Sequence, residues 1–323
     1  MTKFIGRKIE IGIGREGTRG TAVPPSYWLS KINADFDDKF DAVANESSLG
    51  VIEDATDIKI AKKWSEGKIS GSITANAFGY FLRALLGTIT SAVKETTAYN
   101  HTCALSQSAQ HPTLTLEAKN PNEQLKFANG ALDNLTIKAE LGKFVEFEAD
   151  VKAKLGVAST NAPAYVADYN FLAKDVTVKV AASLATLDAA SAISVKNVEI
   201  KFDKNLESDD VLGSAEPNDY LNKQFSITGK IELLYDATTY KTLALAGTQK
   251  AIRINIQDTS TTIGASSNPT LKIDLAKVKL TEWAKSDDLN GLVKEILTFK
   301  ALYSLSDAQM VAIVLTNTVV GYN

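Results

Sequence analysis

At 323 residues the chain is longer than one core usually organises, which points to two domains, and its 45% hydrophobic and 23% charged residues are the balance of a soluble globular protein. A net charge of −3 excludes a dedicated clamp on nucleic-acid phosphates, while permitting a surface past which DNA moves without sticking. The longest clean apolar run, residues 310–315, is far too short to span a membrane as a helix, and a single cysteine, Cys103, excludes an intrachain disulfide framework and fits folding in a reducing cytoplasm.

The opening M-T-K-F-I-G-R-K-I-E has charges and a glycine where a secretion signal needs an apolar core, so none is expected, and the N-x-S/T triplets at Asn45, Asn100 and Asn134 are read as chance. Gly12, Gly14 and Gly17 then form a literal G-x-G-x-x-G after the strand-like K-I-E-I. A dinucleotide fingerprint needs a helix to open there, but the sequel T-R-G-T-A-V-P-P-S-Y-W has two prolines and no helical period. The expectation is a flexible Gly-rich arm, residues 1–27, bending at Pro24-Pro25. Residues 27–40 alternate as a strand. They carry Asp35, Asp37 and Asp38, with Asp41 just beyond, but not the spacing or distal glutamate of a Ca²⁺ loop, which leaves a solvated strand face. Residues 45–54, N-E-S-S-L-G-V-I-E-D, read as a polar loop.

Residues 64–88 are the stretch around which the chain is organised. Ile69 and Ile73 flank Gly71 in a strand, Asn76 is the candidate N-cap, and Phe78, Phe81, Leu82 and Leu85 recur at helical spacing before Gly87, which suits a left-handed C-cap. A second copy runs over residues 225–248: Ile227 and Ile231 flank Gly229, Asp236 is the candidate cap, and Tyr240, Leu243, Ala244 and Gly247 keep the spacing. Phe36 precedes the first copy and Phe202 the second, each followed by an acidic loop ending in Leu-Gly, at residues 45–54 and 207–214. That order makes an internal repeat of about half the chain.

Residues 91–110 are weakly patterned, a loop with one short strand, and hold His101 and Cys103 just before His111 in a spacing that matches no metal site. Residues 111–119 alternate as a strand, and residues 132–154 form the clearest hairpin. Leu135, Ile137 and Ala139 share a face with Val145, Phe147, Ala149 and Val151 across Gly142-Lys143, a pair suited to a type II′ turn. Glu146, Glu148, Asp150, Lys152 and Lys154 stand opposite, either lining a channel or forming an outward salt-bridged surface. Residues 156–168 are small and polar, the best linker. Strands follow at residues 176–180, 198–202, 252–256, 271–275 and 297–303, and the uncharged β-branched tail from Val311 must be paired, within the chain or with a neighbour.

No G-x-S-x-G, H-E-x-x-H or phosphate loop occurs, so no catalytic, cofactor or metal residue is assigned and no enzyme is expected. Trp28, Trp64 and Trp283 are scattered and serve better as core or interface anchors than as the aromatic platform of a carbohydrate-binding β-sandwich, the alternative function. The opening I-G-I-G-R-E-G-T-R-G-T-A-V-P-P-S-Y-W-L, N-E-S-S-L-G-V-I-E-D, K-K-W-S-E-G-K-I-S-G-S-I with F-G-Y-F-L-R-A-L-L-G, and later D-V-L-G-S, L-N-K-Q-F-S-I-T-G-K-I-E-L-L-Y and L-T-F-K-A-L-Y-S together resemble the tail tube proteins of long-tailed bacteriophages and prophages.

The resemblance implies a mainly β fold of two similar tail-tube-like sandwich or barrel domains, each with a flanking helix, at residues 1–160, with the arm 1–27 and a long loop 45–61, and residues 161–323. It implies a virion protein, folded in the bacterial host cytoplasm, whose rings stack into a conduit for genomic DNA. Two domains per chain favour three chains in a pseudo-sixfold ring, with a hexamer as the alternative and a non-contractile tail favoured by chain length. The expected partners are further copies, the tape measure, distal tail and terminator proteins, and passing DNA bound without sequence preference; no membrane and no cofactor is expected. Ring and stacking contacts are expected at Arg15, Glu16, Tyr27 and Trp28 in the arm, at Glu46, Leu49, Val51, Ile52 and Trp64, and at Leu212, Val319 and Tyr322.

Overall fold

The computed structural model describes residues 3–30, 32–46, 49–286 and 289–322. In chain order the first half holds β1 (Glu10–Arg15), β2 (Tyr27–Leu29), β3 (Ile32–Ala44), β4 (Ile58–Ser72), α1 (Phe78–Leu86), β5 (Gly87–Val93), β6 (Tyr99–Leu105), β7 (Leu114–Lys119), β8 (Gln124–Glu140), β9 (Glu146–Ala153) and β10 (Val157–Ala158). The second half holds β11 (Val176–Ala181), β12 (Ala192–Ile193), β13 (Val195–Asp203), β14 (Glu207–Asp209), β15 (Asp219–Leu221), β16 (Ser226–Leu234), α2 (Thr239–Leu245), β17 (Lys250–Gln257), β18 (Thr270–Ser286), β19 (Lys294–Leu302) and β20 (Val311–Asn317). The protein is mainly β, and all described pairings between strands are antiparallel.

Alternating apolar residues give each strand one face to bury, and the ladders collect those faces into one long sheet in the order β3, β4, β9, β8, β13, β16, β19, β18. One row of directly paired residues crosses all eight strands: Ile32, Gly71, Phe147, Ile137, Ile200, Gly229, Phe299 and Leu280. It reads Ile-Gly-Phe-Ile and then Ile-Gly-Phe-Leu, so the unit β3-β4-β9-β8 recurs as β13-β16-β19-β18. Gly71 and Gly229 are therefore in register, as the sequence repeat has them. Phe36 is not matched to Phe202: it pairs with Gly67, whereas Phe202 pairs with Ile227, which corresponds to Ile69.

The correspondence continues off the long sheet. β8 and β18 are each 17 residues long, and their N-terminal parts bend away to pair with β7 and β17. β7 carries β1 and then β2; β17 carries β11 and then β12. β20 breaks this symmetry, lying between β18 of the second half and β6 of the first, with β5 outside. Ile13, Phe81, Phe147, Ile200, Phe299 and Ile313 all belong to one hydrophobic cluster spanning both halves.

Four local expectations change. Residues 10–15, expected in a free arm, form β1 inside the sheet with Ile11 and Ile13 buried, because Gly12 and Gly14 let the Val23–Pro25 segment cross at van der Waals distance: a Cβ on either would come within 2.7 Å of Pro25 or Pro24. Residues 91–110, expected mostly as loop, contain most of the β5-β6 hairpin. In the turn after β8, Gly142 has φ 78 and the Lys143 amide bonds Glu140 O, which is the type II arrangement and not II′. Asn76 does not cap α1. The cap is Asp168 of the expected linker, whose carboxylate accepts the amides of Asn76 and Ala77 at 2.9 and 3.2 Å. Gly87, with φ 88, is the left-handed C-cap expected. The tail from Val311 is paired within the chain. Among the described residues no helix is long and apolar enough to cross a membrane.

Candidate functional site

The face of the long sheet opposite the core is polar, and several of its charges are paired across strands, although Lys279 on β18 stands directly opposite Lys300 on β19. Lys68 meets Glu148 at 2.7 Å, Lys294 meets Glu232 at 2.6 Å, and Lys152 meets Asp133 at 3.3 Å. Lys138 on β8 faces Glu199 on β13 at 3.9 Å, so the ladder of charges crosses from one half to the other. The hydrogen bond from Lys68 holds the Glu148 carboxyl below the usual carboxylate range. Such a face, of mixed sign, binds water and ions of both signs.

The β3-β4 hairpin runs beyond this sheet. Past Phe36 every described residue of β3 is exposed, and Phe40, Val43, Ile58 and Ile60 leave apolar surface on the ribbon. Its tip adds Leu49, Val51 and Ile52, the last fully exposed, beside the exposed Glu46; residues 47 and 48 of the expected loop lie outside the described residues. The loop expected as its counterpart braces the ribbon: Lys62 bonds Ser208 Oγ at 3.1 Å and Asp210 at 2.6 Å, the Lys63 amide bonds Ala215 O, and the fully exposed Leu212 stands beside them. Lys62 also lies 5.6 Å over the ring of the half-buried Trp64, and its ammonium holds Asp210 below the usual range. At the other end of the sheet, Leu141 in the β8-β9 turn and Leu289 and Leu292 in the β18-β19 turn are exposed. Apolar groups thus crown both ends of a polar wall.

The remaining expected contact residues serve the chain itself. Glu16 is 3% exposed and accepts the amides of Gly20 and Asn129 and the hydroxyls of Thr113 and Thr115. Tyr27 is buried and donates to Asp168 at 2.6 Å, and Trp28 is buried against the Gly12 backbone. Beyond β20 the tail folds back: Val319 packs on the core, and Tyr322 lies over Gly79, accepts from Asn317 at 2.7 Å and donates to Asn76 O at 2.5 Å. Arg15 ends β1 near Arg83, whose guanidinium is destabilised by burial and then by the Arg15 charge.

Several residues that sequence reasoning leaves unassigned hold the halves together. Arg19, within the Gly-rich segment, shares its Nε–H between the two Asp219 carboxylate oxygens at 2.8 and 2.9 Å, and its other two nitrogens donate to His111 O and Tyr220 O. Glu95, in the β5-β6 turn, accepts the amides of Ala265, Ser266 and Ser267 and the Ser266 hydroxyl, and the bonds from Ser266, then Ser267, draw its carboxyl down to about 2. Lys204 is buried and donates to Ala84 O at the C-terminal end of α1. No short-range pattern marks these residues, because each reaches a group more than 100 positions away. His101 and Cys103 are neighbours on β6; His101 bonds Ser91 and Asn317, and His111 lies apart, bonded to Leu85 O and Ser106 O.

Compared with known proteins, residues 6–290 match the family described as phage tail tube protein. No curated protein matches the chain.

Proposed function

The chain belongs to the phage tail tube protein family, which places it in the virion tail as a structural protein, and we propose that copies of it assemble into stacked rings whose shared channel conducts the phage genome into the host. The observation that carries this reading is the eight-stranded sheet, in which the row Ile-Gly-Phe-Ile is followed by Ile-Gly-Phe-Leu, apolar on the core side and polar with several cross-strand ion pairs on the other. As the channel wall, that polar face lets duplex DNA pass in so far as carboxylates interrupt its cations and leave few of them free to hold phosphates.

In this reading the two units, residues 1–160 and 161–323, arose by internal duplication, and three chains make a pseudo-sixfold ring. With strands about 4.8 Å apart, three copies of the long sheet give a backbone diameter of roughly 37 Å before strand tilt, and six copies twice that. Stacking sets the apolar hairpin tip, with Leu49, Val51, Ile52 and Leu212, against the apolar turns at the far end of the next ring, a heterologous contact that repeats along the tube. The chain folds in the host cytoplasm, meets the tape measure, distal tail and terminator proteins at the tube's ends and core, and performs no catalysis.

Negative-stain electron microscopy of the concentrated protein tests this. Rings or tubes with a central hole and threefold averages are the expected result; sixfold averages overturn the stoichiometry. Monomers that turn over a substrate overturn the assembly function.

A further inference from the structure

Two arginines of the first half meet without a counter-ion. Arg15, at the end of β1, alternates onto the strand face of the buried Ile11 and Ile13, while Gly12 and Gly14 take the face crossed by Val23–Pro25. Arg83 sits in the last turn of α1, one turn beyond Tyr80, whose ring centre is 6.4 Å from that of Tyr27. The charge of Arg15 acts on both Tyr80 and Arg83. Both arginines are half-buried, and Arg83 Nη1 is shut off from solvent without a hydrogen-bond partner. Neither residue belongs to an ion pair among the described residues. The other half-buried arginines differ: Arg19 holds Asp219, and Arg253 holds Asp188 and Asp274.

The chain's own acceptors beside the pair are taken. Glu16, next to Arg15, accepts from the amides of Gly20 and Asn129 and the hydroxyls of Thr113 and Thr115. Asp168 accepts from Tyr27 and the amides of Asn76, Ala77 and Tyr169. At the end of α1, Arg83 O bonds the Gly87 amide, Ala84 O bonds Lys204, Leu85 O bonds His111 and Leu86 O bonds the Ser106 amide. Arginine keeps its charge at any ordinary pH, so the pair cannot relieve its repulsion by losing a proton. We propose that Arg15 and Arg83 form a two-guanidinium site for an oxyanion, a carboxylate or a phosphate, supplied from outside the folded chain. Guanidinium forks match the oxygens of either group, and two forks on one oxyanion replace mutual repulsion with charge-assisted hydrogen bonds. The site lies away from the charged face of the long sheet, because β1 and α1 both bury residues in the cluster on its other side, and it does not depend on ring assembly.

Urea unfolding of the full chain in inorganic phosphate, and in chloride at equal ionic strength, tests the site. In chloride, Arg15→Gln and Arg83→Gln should each match or raise the wild-type midpoint, because each removes one of two like charges. Phosphate stabilises folded proteins in general, so the readout is the difference between wild type and variant. The same gain in midpoint should need at least about tenfold more phosphate in either variant, since one charge-assisted contact is lost. Assembly then separates the sources of the oxyanion. A carboxylate presented by a second copy makes phosphate suppress wild-type oligomers beyond the effect of chloride, and makes both variants associate poorly. A free phosphate leaves both variants associating as the wild type does. Variants whose midpoints fall sharply in chloride, as loss of an ion pair within the chain would make them, overturn the site. So does a gain from phosphate that is equal in wild type and variants. Neither result bears on the ring, which a wild-type chain that forms none would overturn by itself.

Discussion

The imidazole of His111 lies between two carbonyl oxygens, Leu85 O at 2.9 Å and Ser106 O at 3.1 Å, under a cleft of about 200 Å³ that it shares with Lys204. Burial, and then the Lys204 charge, push its pKa from 6.5 down to about 4 against the pull of both carbonyls. Burial, and then Arg19, lower Lys204 to about 7 despite Asp133. Both groups therefore bind protons more weakly in the folded chain than in the unfolded one, so stability rises with pH through each window. It should fall by up to roughly 3 kcal/mol as pH drops from 6.5 to 4, and climb further between pH 7 and about 10.5. Urea midpoints across that range test this; in Lys204→Met the rise above pH 7 should vanish, and an unchanged slope would contradict the assignment. The Arg19–Asp219 ion pair makes a sharper demand. Against the penalty of burial, the Tyr220 amide, Asn129 and Arg19 hold Asp219 ionised below its usual range. Asp219→Ala leaves the guanidinium without its carboxylate and should cost about 3–5 kcal/mol of unfolding free energy. Breaking the exposed Lys143–Glu140 pair should instead leave the urea midpoint nearly where it was, because water already solvates both ends.

At the scale of elements, the two helices separate what local sequence specifies from what the fold adds. Apolar spacing marks both α1 and α2, and the structure has both. Yet seven of the nine residues of α1 are buried and none of α2, because the first half inserts the β5-β6 hairpin and β20 with its tail closes over α1. The caps of α1 come from the other half, Asp168 at its N-terminus and Lys204 at its C-terminus, each of the sign the helix dipole favours. Periodicity shows which face wants cover but not which distant segment supplies it. That is why the hairpin after Leu132 and the tail strand are legible in the sequence, while β1 reads there as an arm and Asp168 as linker. The β3-β4 ribbon is legible only in part: a strand to residue 40 and a loop after it are marked, but residues 41–44 and 58–61 are strand where the sequence suggests the strand's end and a long loop. Replacing residues 45–57 by a two-residue turn should leave the fold and ring closure unchanged and abolish stacking, so that sedimentation finds single rings where the wild type gives tubes. Tubes of normal length from that variant would remove the ribbon from the inter-ring contact.

For the whole molecule, the repeat invites the idea that each half is an independent domain, and the contacts argue against independence. β8 and β13 share seven ladder pairs, β20 inserts beside β6, and Glu95 holds the residue 265–267 amides. The halves also share one apolar cluster, so separating them exposes Ile137, Ile200 and their neighbours along a full strand edge. Residues 159–168 differ: they cross the surface without strand structure and several of them are exposed. A nick there removes no ladder pair and costs mainly chain connectivity. Residues 1–160 expressed alone should therefore aggregate or show poorly dispersed amide spectra. The full chain cleaved between residues 160 and 166 should keep its strand signal by circular dichroism, elute as one species and release its fragments only in denaturant. A soluble, well-dispersed N-terminal fragment would show that the central joint is a docking of two finished domains.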